Sequence, residues 1–440
     1  MRLDRFSDRD ALISVAAAAI VAAISAIILI GPHRTDFSDS GDYIAAAKSL
    51  LQEGAYPVQG TLPFFRAPLY PMLLAAVWAI SPGSVLAVKI VQAAFHMLTA
   101  LAVFLTGKTL FGRRAVGFAG GMLAAFNPLM LYFVAAIQTE ALHTMLVSVG
   151  IYFGIARVFA RDGESFIDAI VAGIAFGLAA LCRPSAFGIG FLIAFLIFGN
   201  AVWRKRNLAL PLAMAAAIVL VVLPWTIRNY ARFGDVILVN DAGGYALWVG
   251  NHPANLRFYD GSLTTAAEIG EYSDWIGKTL PAQIIAEWEN DGGYSGLSPS
   301  EREARWRREA FANFRQYPEE TLKLFGWKLL GFWKPYPSSE VFGPLVTAVA
   351  FFEIPVLLMA FLGLFLAKLR PASRNLALLF VIYFVAVTAI HVLLVATVRM
   401  RVPYVEPWTA MFAAFGAVGS WEAIFNRLDV MKPPKSSELK

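Results

Sequence analysis

The chain has 440 residues, 58% hydrophobic and only 15% charged, with a mean hydropathy of +0.60, so most of it must sit in lipid rather than in a soluble globule. The formal net charge of +6 comes from short basic clusters between apolar runs, where orientation signals belong, and no basic patch interleaved with aromatics suggests a nucleic-acid partner. A single cysteine, Cys182, excludes an internal disulfide.

In chain order, Arg2, Arg5 and Arg9 precede an apolar run over 11–30 that is long enough to cross the hydrocarbon. The following G-P-H-R is not a small-residue cleavage site, so a retained first helix is expected. Next comes TDFSDSGDYIAAAKSLLQE over 35–53, with Asp36, Asp39 and Asp42 at three-residue spacing beside the membrane boundary. Ser38 or Asp39 can cap a short amphipathic helix with an apolar stripe of Tyr43, Ile44, Ala47, Leu50 and Leu51, and Gly54 can stop it. Such a helix lies on the membrane surface and keeps its acidic start near the bilayer edge. For Asp36 and Asp42, a macrodipole role worth a few tenths of a kcal/mol and a role in chemistry are both open. Asp39 is the stronger candidate for chemistry.

R-A-P-L-Y-P at 66–71 leads into an apolar run ending at Ile80, too short to cross unaided and expected at the interface or as a re-entrant piece. Spans are predicted near 86–110, 115–133, 138–158, 166–182, 185–202, 208–227, 344–367, 376–397 and 403–421, about ten with the first. Arg183-Pro184 breaks the overlong apolar stretch 166–200. Under this threading the basic clusters around Lys108, Arg157, Arg204, Lys368 and Arg427 share one side, which places both termini in the cytoplasm.

Asp36, Asp39, Asp42, Arg66, Glu140, Arg183, Arg228, Arg399 and Arg401 are left on the other side. Arginines there run against the usual bias, and a charge at mid-bilayer costs ~2.5–3.5 kcal/mol on insertion scales. The long outer segment 228–343 has a strand-like start and a helical remainder. Within it, S-P-S-E at 298–301 reads as a capping box with proline at the first helical position. Its helix ends near Tyr317-Pro318, and the aromatic-rich stretch 319–336 reads as an interfacial helix returning the chain to lipid. The expected architecture is an all-α polytopic membrane protein whose first outer loop carries interfacial helices, with a small mixed outer domain. Its parts are a core over 1–227 that includes a first outer loop at 31–85, an outer domain over 228–343, and terminal helices with a basic tail over 344–440.

No phosphate-cradling P-loop is present, and Gly117 to Gly121 lie in an apolar span where close helix packing explains them. Glu140 and His143 share a helix face at i, i+3, a spacing that serves either a metal site or a hydrogen-bonded structural histidine. His96 and His391 lie inside spans as packing residues. An outer set of acids and arginines at lipid depth suits group transfer from a lipid-linked phosphate donor. The phosphate is already a good leaving group, so one carboxylate base and a set of cations suffice. Arginine fits the phosphate because its planar fork binds two oxygens at once.

The ordered motifs D-S-G-D-Y-x3-A-x2-L at Asp39, R-A-P-L-Y-P at Arg66, T-E-A-L at Glu140, R-P at Arg183, P-W-x-x-R-N at Arg228 and R-M-R-x-P-Y at Arg399 resemble the bacterial GT-C membrane glycosyltransferases. The similar branch is that of the protein O-mannosyltransferases and lipid A aminoarabinose transferases. The resemblance implies a polyprenyl-phosphate-sugar donor, catalysis at the outer face with inversion, and a first-loop aspartate as base. It matches Asp39 and Tyr43 to a frequent D-E-x-x-Y loop, with Ser40 where glutamate often stands. Arg66 stands where the aminoarabinose branch has lysine, and Phe65 where it has glutamate.

On this basis the sequence is read as an inner-membrane glycosyltransferase acting on the periplasmic side. Its acceptor is a lipid, a glycan or a protein, and its surroundings are membrane lipids. Asp39 is the base, and Asp42 or Glu140 assists through acceptor positioning or metal binding. Arg66, Arg228, Arg399 and Arg401 contact the donor phosphate, with Arg183 as a further candidate. The cofactor is unassigned, with a divalent metal as the option. The alternative is a transporter or lipid flippase, whose matched halves with broken spans are not seen in the sequence.

Overall fold

The computed structural model describes residues 7–35, 37, 39–57, 65–160, 165–260, 262–263, 265–290, 293–337, 343, 345–371 and 373–430, without the side chains of 266 and 421–430. Asp36 and Ser38 therefore lie outside the described residues.

The described chain is helical and contains no strand. Helix α1 (Asp8–Ile30) opens on a Ser7–Asp10 capping box. A loop then leads to α2 (Ser40–Gln52), which stops before Gly54 at φ +66°. Next come α3 (Leu69–Ile80), α4 (Val85–Phe111), α5 (Arg114–Ala125), α6 (Pro128–Val134) and α7 (Glu140–Ile151), the last continued by a π-helical stretch to Phe159. They are followed by α8 (Phe166–Cys182), α9 (Ser185–Trp203) and α10 (Ala209–Phe233), with the α8–α9 break at Arg183-Pro184 as expected. The segment 228–343 holds α11 (Gly243–Asn251), α12 (Leu256–Tyr259), α13 (Ala266–Asp274), α14 (Leu280–Asn290), α15 (Pro299–Gln316) and α16 (Pro318–Trp333). The chain closes with α17 (Leu345–Leu369), α18 (Arg374–Leu393), the single turn α19 (Val398–Arg401) and α20 (Glu406–Val430).

Seven of the described helices are long and apolar enough to cross a membrane: α1, α4, α7 with its π continuation, α9, α10, α17 and α18. An eighth is obtained if α5 and α6 count as one span bent by 52°. The span expected at 115–133 is therefore present as this bent pair. Asn127 Oδ1 accepts from the Met130 amide at 3.0 Å and Pro128 occupies the first turn, so a new helix starts there. The other two of the ten expected spans are α8 and α20. Helix α8 is apolar but only 17 residues long. In α20 every residue from 406 to 416 is buried within the bundle, which makes it a core helix.

Small residues set the packing distance. A Cβ on Gly363 of α17 would meet the Phe412 carbonyl at 1.9 Å, so α17 and α20 approach backbone to backbone. Gly117 in α5 is similarly close to the Phe104 carbonyl of α4.

The strand-like start of the outer segment is corrected. Ile237 and Val239 have no partner strand; they pack into the core, and the carbonyl of Val239 accepts from Trp225 Nε1 at 2.7 Å. The helices beyond bury Tyr245, Trp248, Trp288, Tyr294 and Trp306 together. The Ser298–Glu301 capping box starts α15 as expected, and α16 carries Leu322, Trp327, Leu329 and Leu330 exposed.

Two buried polar residues of α4 pin down the loops that carry the site. Lys89 Nζ donates to the carbonyls of Gly31 at 2.6 Å and Arg34 at 3.0 Å, fixing the start of the acidic loop. Gln92 Nε2 donates to the carbonyls of Val134 and Ala136, both at 2.7 Å, while its Oε1 accepts from Tyr70 at 2.6 Å. Ser40 Oγ closes the set by donating to the Ile137 carbonyl at 2.9 Å. The acidic loop, the start of α3 and the segment before Glu140 therefore meet at one end of α4.

Candidate active site

Asp39 occupies the N-cap position of α2, yet its carboxylate makes no capping hydrogen bond. It faces two guanidinium groups instead: Oδ1 accepts from Arg66 Nη2 at 3.0 Å, and Oδ2 accepts from Arg399 Nη1 at 2.7 Å. Arg66 also reaches Asp42, with Nε at 3.0 Å and Nη2 at 2.7 Å from Oδ2. Arg399 turns its Nε to Glu140, whose same Oε1 accepts from Arg183 Nη2 at 2.6 Å. Arg183 is steadied by Thr139 Oγ1, which accepts from its Nε at 2.9 Å. One continuous chain of charge results, running Asp42, Arg66, Asp39, Arg399, Glu140, Arg183. Among the described residues this chain alternates three carboxylates with three guanidinium groups.

The set is half-shielded: the side chain of Asp39 retains a quarter of its exposure, whereas Glu140 retains none. Burial pushes the Asp39 carboxyl up, but the charges of Arg399 and then Arg66 outweigh it and hold it well below the usual carboxylate range. Arg66 also lies over the Tyr43 ring at 5.4 Å, and Tyr43 meets Tyr70 edge to face.

Two of the expected arginines sit apart from this chain. Arg228 stacks over Trp225 at 4.7 Å and donates to the Tyr56 carbonyl at 3.3 Å. It connects to the site through Tyr56, whose hydroxyl donates to the Arg66 carbonyl at 2.9 Å, and through Phe233, which lies under its guanidinium and stacks on Phe65. Arg401 is fully buried. Its Nε meets Glu406 Oε1 at 2.5 Å, its Nη2 faces Glu353 at 3.7 Å, and its Nη1 donates to the carbonyls of Phe332 and Lys334 at 3.3 and 3.0 Å. It points into the scaffold, away from Asp39.

His143 shares a 2.7 Å hydrogen bond with the Tyr404 hydroxyl, which also meets Ser185 at 2.8 Å, so the imidazole ties α7 to the segment after Arg399. His96 and His391 each make one backbone hydrogen bond inside the bundle, as expected of packing residues. Among the described residues no group of three or more His, Cys, Asp or Glu side chains converges as a metal ligand set. The carboxylates of Asp39 and Asp42, and Oε1 of Glu140, point at guanidinium groups. Lys89, Gln92 and Thr139 were missed in the sequence. Lys89 and Gln92 did carry a signal, as polar groups within an otherwise apolar stretch.

A family profile described as dolichyl-phosphate-mannose-protein mannosyltransferase matches residues 65–227. The fold is similar to that of the Archaeoglobus fulgidus oligosaccharyltransferase AglB, solved with an inhibitory peptide and a dolichol-phosphate. That structure has 13% sequence identity and a TM-score of 0.56, and the match covers 97% of this chain and 52% of that one. The apo form of the A. fulgidus oligosaccharyltransferase matches at 15% identity and a TM-score of 0.54, over 95% of this chain and 52% of the other. The chain has the GT-C glycosyltransferase fold. It spans about half the length of these solved chains. No curated protein matches the sequence. Within the GT-C frame, the profile region contains Arg66, Glu140 and Arg183 and ends one residue before Arg228, while Asp39 and Arg399 lie outside it.

Proposed function

We propose that this chain is a multi-pass membrane glycosyltransferase that moves a sugar from a polyprenyl-phosphate donor to a lipid, glycan or protein acceptor, with inversion. The active face is the periplasmic side of the inner membrane, with both termini in the cytoplasm. The observation that carries this reading is the meeting of Asp39 with Arg66 and Arg399, which joins a carboxylate base to two phosphate-binding forks.

The carboxylates hold the guanidinium groups by hydrogen bonds. An incoming donor phosphate competes for Arg66 and Arg399, and as it takes them over, the hold that keeps Asp39 a weak base is relaxed. Asp39 then accepts the proton of the acceptor hydroxyl. The acceptor oxygen forms a bond to the anomeric carbon, and the bond from that carbon to the phosphate oxygen breaks. The polyprenyl phosphate leaves with the electron pair and is stabilised by the arginines. Glu140, locked between Arg183 and Arg399, keeps Arg399 aimed at the phosphate, while Asp42 orients Arg66. Arg228 has no carboxylate partner among the described residues and supplies the first attraction for the donor.

Mass spectrometry of envelope lipids and glycans from cells with and without the protein tests this reading. One sugar mass is expected to vanish with the protein and return on complementation; identical profiles overturn the proposal.

A further inference from the structure

Arg399 is carried by a segment with little structure of its own: α18 ends at Leu393, and the single turn α19 holds the arginine at its second position. Its position must be fixed from outside. The carbonyls leading into it are taken up in succession by the outer helices. Lys328 Nζ, on α16, donates to Val392 at 3.0 Å and Leu394 at 2.9 Å. Asn251 Nδ2, at the end of α11, donates to Leu393 at 2.8 Å, and its Oδ1 accepts from Lys328 at 2.7 Å. The Tyr259 hydroxyl donates to Ala396 at 3.1 Å. Gly250 lets α11 come this close, since a Cβ there would lie 1.8 Å from the Leu394 carbonyl.

Helix α16 also grips the other side of the turn, where Arg401 Nη1 donates to the carbonyls of Phe332 and Lys334 at the helix end. Lys328 is fully buried, and all three of its hydrogen-bond acceptors are amide oxygens. Burying an ammonium without a carboxylate is expensive unless its donors are all used. A cation at the C-terminus of α18 is explained by that helix's macrodipole alone. The bonds to Leu394 and Ala396, beyond the helix end, are not.

We infer that Lys328 and Arg401 are positioning residues that make α16 the frame holding Arg399 against Asp39. For its link to catalysis this inference rests on the donor-phosphate role given to Arg399 above.

The test uses the full chain in lipid nanodiscs, with undecaprenyl phosphate as binding probe and phenylglyoxal labelling of Arg399 read by peptide mass spectrometry. Lys328→Met is expected to weaken binding by roughly tenfold to a hundredfold, the loss expected when a charge-assisted hydrogen bond from Arg399 to the phosphate is misdirected, and to raise labelling of Arg399. Lys328→Arg, which keeps a buried cation with several donors, should recover most of both. In an Arg399→Ala background Lys328→Met should weaken binding no further, because the two act through one contact. Unchanged labelling and binding in Lys328→Met, or an equal loss with Arg399 absent, overturns the inference. If Lys328→Met does not fold, Arg401→Lys keeps the buried cation but loses the fork that reaches the Phe332 and Lys334 carbonyls of α16, and should raise labelling more modestly; no change there overturns the inference equally. If the parent protein fails to bind undecaprenyl phosphate, the donor reading fails and the labelling arm alone decides whether α16 positions Arg399.

Discussion

Asp39 and Arg399 stand 360 positions apart in the chain and meet at 2.7 Å. The pair joins the loop between α1 and α2 to the segment before the last helix, and the other charges of the site are strung from its two ends. Because Asp39 does not cap its own helix, its replacement removes chemistry more than local structure. Asp39→Asn should lower transfer by about 10²–10⁴-fold, the usual contribution of a general base. Membrane insertion should persist, and turnover with a polyprenyl-phosphate-sugar substrate is the measurement.

Arg399→Lys keeps the charge but loses the fork that spans Asp39 and Glu140. Donor KM should rise by about tenfold or more, the effect of losing a charged hydrogen bond worth ~1.5–3 kcal/mol. Acceptor KM should stay nearly constant. Steady-state kinetics with each substrate varied in turn separates the two.

Arg401→Met removes the cation from a fully buried pair of carboxylates, Glu353 and Glu406. Stability should fall by ~3–5 kcal/mol, the usual consequence of leaving buried charge uncompensated. Thermal unfolding in detergent would register it, and the adjacent triple variant Glu353→Gln, Arg401→Met, Glu406→Gln should recover much of the loss.

Asp241 sits beneath the site loop, where its Oδ1 accepts from the Phe65 amide at 3.1 Å. Burial raises its carboxyl from the ordinary 3.8 to about 6, against the smaller opposing pull of that hydrogen bond. Between these two values the folded chain binds more protons than the unfolded one, so stability contributed by this group is full below about pH 4 and is lost as pH rises toward 6. Asp241→Asn, which keeps the acceptor oxygen, should flatten that part of the profile. Melting temperatures from pH 4 to 7, compared between parent and variant, measure it.

Much of the fold was legible because its signals are local. Arg183-Pro184 breaks a helix wherever it occurs, and Ser298 to Glu301 caps one from within four residues. The bend at Asn127-Pro128 had a signal of the same kind that went unread, an N-cap followed by proline. What failed depended on distant partners. Ile237 and Val239 have β propensity, but no second strand comes to meet them and they pack in the core. Asp39 looks like a cap in its own sequence, yet Arg66 and Arg399 claim its carboxylate. Arg399 and Arg401 read alike in R-M-R, but residues two apart on a helical turn point about 200° away from each other. One therefore reaches the site, and the other enters the scaffold.

The ion pair that closes the pocket also sets a schedule for its assembly. During synthesis the ribosome releases the acid long before the guanidinium that faces it, so a nascent chain stopped ahead of residue 398 carries Asp39 and Arg66 without Arg399. Until the final helices insert, the pocket lacks one of its walls.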